Sequence, residues 1–186
     1  SSDGGGLFND LFSSMTLTNT TVQENWAVST GGGIRNDGVM SVYGGQVITN
    51  AATNGSGGGI YLGHGNAVLT QTGVVTLAFN SVNFFGGGIH VQYGRMALDG
   101  ARLISNYARV EGGAVYQVDA DAVTITNSCL VFNSDPAVYF LGGADLTATE
   151  NWWGYADGPS GAGPGSGDSI NNAVNIDAGG FLTSPP

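Results

Sequence analysis

Acid–base chemistry has few carriers in this chain. Fourteen Asp and Glu stand against four arginines, two histidines and no lysine. The closest carboxylate pair is Asp119-Ala120-Asp121. Two carboxylates facing across a groove would suit glycoside hydrolysis, and acids held together would suit calcium. A lyase would need a basic proton acceptor as well. The nearest arginine in sequence is Arg109, before Glu111, while Asp99 and Asp145 fall at other strand phases. No catalytic cluster converges, so Asp119 and Asp121 are expected on a solvated turn, with calcium as a minor candidate and the only cofactor considered. His64 lies in Gly63-His64-Gly65-Asn66 and His90 on a strand. Their unrelated phases make no metal site, and both are expected at the surface. Cys129, the single cysteine, reads as a small core residue with no disulfide framework around it. The chain is expected not to be an enzyme.

A second set of residues suits binding. Arg35, Tyr61, His90, Tyr116 and Tyr139 each follow an apolar residue that closes a corner, four of these corners Gly-rich and the last Asp135-Pro136-Ala137-Val138. If the corners stack, these five form an outward stripe of flat, hydrogen-bonding side chains about 4.8 Å apart. Such a stripe is either ordinary strand surface or a contact face for a glycan or another copy of the chain.

The corners themselves define the elements. Gly31-Gly32-Gly33-Ile34 recurs as Gly57-Gly58-Gly59-Ile60 and Gly86-Gly87-Gly88-Ile89, with looser copies ending in Leu7 and Val115. Successive apolar residues are 27, 26, 29 and 26 positions apart. A fixed period in this range signals a repeat architecture. A second marker, an apolar residue three positions before Asn, gives Asn25, Asn50, Asn80, Asn106 and Asn133. Stacked, these amides should bond one another in a ladder, and Asn should supply the left-handed backbone the corner needs. A third series of inward residues is expected at Leu17, Val42, Leu69, Leu98, Ile125 and Leu146. Three short strands and three corners per period, with no helical stretch, predict an all-β, right-handed, single-stranded parallel β-helix of about six coils. The longest step, from Ile60 to Ile89, places inserted residues near Gly63–Asn66 and Gln71–Gly73.

Thirty-three glycines without a three-residue period exclude collagen, and 41% apolar content excludes disorder. A net charge of −10 argues against nucleic acid and anionic membranes as partners. No apolar run is long enough for a membrane span. The sequons Asn19-Thr20-Thr21 and Asn54-Gly55-Ser56 carry little weight. Two regions are expected: coils over 1–149, and over 150–186 a Trp-, Gly- and Pro-rich C-terminal cap. Trp152 and Trp153 would cover the last coil with each indole N–H turned to a polar partner. Ala173 to Ile176 is expected as one last strand. The first coil carries no helix ahead of it, which suggests either excision from a longer chain or cover by another subunit.

With these motifs placed, the chain resembles the repeat region of the bacterial polymorphic outer membrane proteins and related right-handed β-helix surface proteins. Gly112-Gly113-Ala114-Val115 and the Gly-Gly-Gly-Ile series match that family's Gly-Gly-Ala-Ile. The five Asn motifs match its Phe-x-x-Asn, with Val or Leu in place of Phe. Asn151-Trp152-Trp153-Gly154, Gly158-Pro159 and Gly163 to Asp168 look like the tail of secreted bacterial β-helix proteins. The resemblance implies an extracellular, adhesive or structural surface protein without catalysis; the family's anchoring barrel is missing. The expectation is a structural protein that self-associates, head to tail into a filament. The alternatives are a monomeric adhesin that binds glycan or a host surface, and a polysaccharide lyase or glycoside hydrolase.

Overall fold

The structure, a computed structural model, describes residues 2–142, 145–171 and 175–186. Strands are the only regular elements among them; no helix is long and apolar enough to cross a membrane. The chain winds into a parallel β-solenoid of about six turns. Its strands divide into a 14-stranded and a 4-stranded parallel sheet.

Like residues lie over like. Leu7, Ile34, Ile60, Ile89, Val115, Val138 and Ile170 are paired in one register from turn to turn. Val22, Val47, Leu77, Leu103 and Leu130 make a second column. Both columns line a single continuous apolar core. A β-branched or leucine side chain repeated every rung fills this interior at the strand spacing of about 4.8 Å.

The third column departs from expectation. Two inward columns occupy that side. Met15, Met40, Leu69, Met96, Val123, Leu146 and Ile176 form one, and Leu17, Val42, Gln71, Leu98 and Ile125 the other. Leu69 and Leu146 therefore belong beside the expected series, and Gln71 takes the rung expected for Leu69. The cause is the insertion at Gly63–Ala67. Leu62 and Val68 pair with Asn36 and Val39, so three more residues separate them than their partners. The spacing from Ile34 to Val42, applied from Ile60, therefore reaches Val68, three positions before the inward Gln71; this accounts for Leu69 and not for Leu146.

A triplet of glycines makes the sharp corners before Leu7, Ile34, Ile60 and Ile89, and each member has its own reason. Gly31 has φ of 65°, which an L-residue rarely adopts. A Cβ on Gly32 would collide with the Gly58 carbonyl of the next turn, and one on Gly33 would stand 2.9 Å from the Asn50 amide carbon. Two other corners of each turn are also left-handed, and here the sequence expectation is corrected. The residue before each ladder asparagine carries the positive φ: Glu24, Thr49, Phe79, Ser105 and Phe132, between 52° and 61°. The asparagine itself does not; its side chain satisfies the turn.

Each of the first four turns also has a two-residue strand that the sequence did not announce: Trp26–Ala27, Ala51–Ala52, Ser81–Val82 and Tyr107–Ala108. Ala52, Val82 and Ala108 face inward as a small separate apolar cluster. The middle glycine of the corner lets this strand lie close, since a Cβ on Gly32 would collide with the Ala51 carbonyl carbon and one on Gly87 would stand 2.6 Å from that of Tyr107.

In the C-terminal region the columns continue. Gly167–Asn171 pairs with Val138–Phe140, and Ile176–Asp177 with Leu146–Thr147. Pro159–Gly161 lies along the outer edge of Gly167–Asn171. Trp153 is fully buried, and Ala178 and Phe181 pack against the core beside it. The Trp153 indole N–H has no partner among the described residues, contrary to the expectation of a polar contact. Trp152 is half-buried and bridges to Cys129. Ala173 and Val174 of the expected last strand lie outside the described residues.

Candidate functional site

The five stripe residues fall on successive rungs: Arg35, Tyr61, His90, Tyr116 and Tyr139, with Phe8 before them and Asn171 after. Their planes stack. Tyr61 and His90 are 5.0 Å apart, His90 and Tyr116 5.2 Å, and Tyr116 and Tyr139 5.4 Å at only 2° between planes. The Arg35 guanidinium lies 5.7 Å from both the Phe8 and the Tyr61 ring centroids. Register forces this, since outward side chains one rung apart are at stacking distance.

The stripe is not an open face along its length. His90 and Tyr116 are 2% and 4% exposed. Phe85, from the corner between the third and fourth turns, stacks on Tyr116 at 4.5 Å and lies 6.5 Å from His90. This overturns the placement of His90 at the surface. Burial holds its pKa down to about 4, partly offset by contacts with Gln92 and the Phe85 backbone. Nε2 of His90 meets Gln92 Oε1 at 3.1 Å. Burial also raises the Tyr61 and Tyr116 hydroxyl pKa values.

At the N-terminal end of the stack Arg35 is held by two acids. Its Nε donates to Asp37 Oδ2 at 3.0 Å and its Nη1 lies 3.4 Å from Asp3 Oδ1. Burial alone would raise the Asp3 pKa, but hydrogen bonds from Thr30 and the charge of Arg35 outweigh it and hold it low. Arg35 is thus committed to the rod's own charge network.

The asparagine ladder is continuous. Asn25, Asn50, Asn80 and Asn106 each donate through Nδ2 to Oδ1 of the next asparagine at 3.0 Å. Each of these four also donates its backbone N–H to the same oxygen, at 3.0 or 3.1 Å. The remaining Nδ2 proton of Asn50, Asn80 and Asn106 reaches a carbonyl one turn back, at Val22, Val47 and Leu77. The last rung is Asp168, whose carboxylate accepts from the Asn133 amide and from the backbone of Phe132 and Asn133. Burial raises its pKa, and those hydrogen bonds work against the rise. Asp168 was missed in the sequence because the ladder residue before it is 35 positions away.

Asp119 and Asp121 are exposed on the strand Val115–Thr126 rather than on a turn. Asp121 pairs with Arg95 at 3.4 Å, with both side chains open to water. Among the described residues no three of His, Cys, Asp and Glu converge as a metal site. His64 is exposed in the insertion and accepts the Asn66 N–H on Nδ1 at 3.1 Å. Cys129 is buried, 9% exposed, as expected of a small core residue, though it pairs in register with Arg102 and stands apart from the main apolar cluster. Inward packing belongs to its neighbour Leu130.

Comparison with protein-family models, curated proteins and solved structures returned no match. The resemblance drawn from the Gly-rich corners and asparagine motifs therefore extends to a parallel β-solenoid with repeated turns.

Proposed function

We propose that the chain is a non-enzymatic structural rod of the bacterial surface or extracellular space that joins copies of itself head to tail, the first turn of one copy seating on the C-terminal region 150–186 of the next. What supports this is the state of the core columns at the two ends. Leu7, Met15 and Leu17 are only partly buried, although the same columns are closed at Ile34, Met40 and Val42. At the opposite end Ile176, Ala178 and Phe181 are partly buried against the same core. Among the described residues the strand Ser14–Gln23 pairs along one edge only, with Val39–Ile48. Two dissimilar apolar ends in one column system favour a heterologous contact, which extends rather than closes.

Sedimentation velocity and negative-stain imaging over rising protein concentration test this. Rods that lengthen with concentration, and that shorten to monomers on Leu17→Asp while the circular dichroism spectrum stays that of the parent, are expected. Monodisperse monomers at high concentration, or a closed two-fold dimer, would refute head-to-tail assembly.

A further inference from the structure

The four-stranded sheet carries a surface of different character from the covered aromatic stack. Its outward positions form a grid four rungs long. One column is Trp26, Ala51, Ser81 and Tyr107. Two residues along each strand lie Val28, Thr53, Asn83 and Arg109, kept in step by backbone bonds from Thr53, Asn83 and Arg109 to Ala27, Ala52 and Val82. Trp26 and Tyr107 are 50% and 52% exposed. Three rungs separate them, about 14 Å. The small side chains beside Tyr107 leave a hollow of about 210 Å³ whose lining includes Tyr107, Ala51, Ser81, Thr53 and Asn83, with Trp26 beyond its far edge.

The polar groups of the hollow, and of Arg109 two residues beyond Tyr107, are unspent. Asn83 Nδ2 donates to the Thr53 carbonyl at 2.7 Å, which fixes the amide. Among the described residues, Asn83 Oδ1, the Ser81 and Thr53 hydroxyls and the Arg109 guanidinium make no hydrogen bond or ion pair with the protein. Exposed aromatic faces beside fixed donors and acceptors complement a pyranose, which has an apolar C–H face and a rim of hydroxyls. The net charge of −10 repels an anionic chain at long range. We infer that the outer face of the short sheet binds an extended neutral saccharide, with rings on Tyr107 and Trp26 and hydroxyls on Asn83, Ser81 and Arg109. Tyr107, Ser81 and Asn83 stand away from the rod ends, whereas Trp26 is on the outward side of the first turn, so binding is measured on the monomer.

Calorimetry and tryptophan fluorescence on the full chain, at a concentration where light scattering reports monomer, test the inference. The probes are cellohexaose, chitohexaose and, as the acidic counterpart, trigalacturonate. At least one neutral oligosaccharide is expected to bind. Trp26→Ala and Tyr107→Ala should each weaken it about tenfold, the loss of one stacking contact. Tyr43→Ala, an aromatic 46% exposed on another side, should leave it unchanged, and all three variants should melt as the parent does. Three results would overturn the site: no neutral probe binding at its solubility limit, affinity that survives the Trp26/Tyr107 double variant, or binding of trigalacturonate alone that falls with Arg109→Gln but not with Tyr107→Ala.

Discussion

His90 and Gln71 are polar side chains in places that favour apolar ones, and each sets a measurable cost. The His90 pKa is about 4 in the folded chain against 6.5 when exposed. The unfolded state therefore takes up a proton between those values while the folded state does not. Stability is full above pH 6.5 and falls as pH drops towards 4, by about 3 kcal/mol if the whole shift is realised. Asp168, raised by burial, acts with opposite sign. Urea unfolding of the parent and His90→Gln across pH 4–7 isolates the histidine: the variant should lose most of the slope. Gln71 is 2% exposed between Val42 and Leu98. Its Nε2 donates to the Gly73 and Asp99 carbonyls, while Oε1 has no partner among the described residues. Beside it lies an apolar cavity of about 10 Å³. Gln71→Leu restores the column and removes the orphaned oxygen; Gly73, in an exposed bulge, can turn its carbonyl to water. A gain of about 1 kcal/mol in urea unfolding is expected.

At the level of the element, the ladder explains how non-glycine residues hold a left-handed corner. Thr49, Phe79 and Ser105 accept positive φ because the next residue's amide ties three chain segments together. Asn80 is fully buried and takes part in bonds with Asn50, Asn106 and the Val47 carbonyl. Asn80→Ala leaves several of these groups unsatisfied and should cost about 3 kcal/mol in urea unfolding. Asn25 donates to the next rung alone, so Asn25→Ala should cost clearly less. Equal losses at the two positions would show that the ladder does not act through its buried hydrogen bonds.

For the whole molecule, charge opposes the proposed assembly. Copies carrying −10 repel when brought end to end, and salt screens that repulsion over about 8 Å at physiological ionic strength. Apolar contact at the ends is indifferent to moderate salt. Mean rod length measured by light scattering should therefore rise between about 20 and 300 mM NaCl. A fall over the same range would mean that ion pairs, not the exposed column ends, hold the copies together.

The sequence by itself determined the solenoid. Gly-Gly-Gly-Ile and the asparagine motif recur because every turn meets the same corner, so the repeating constraint is written as repeating residues. It also placed Arg35, Tyr61, His90, Tyr116 and Tyr139 on successive rungs, since register follows directly from the period. Burial was not legible, because Phe85 covers His90 and Tyr116 from a corner whose path no spacing rule describes. Only the tertiary structure moved Gln71 into the core, joined Asp168 to the ladder, and set Trp26 and Tyr107 on one face. Each of those depends on how many residues a loop spends before rejoining the stack, and a period specifies the rungs without specifying the loops between them.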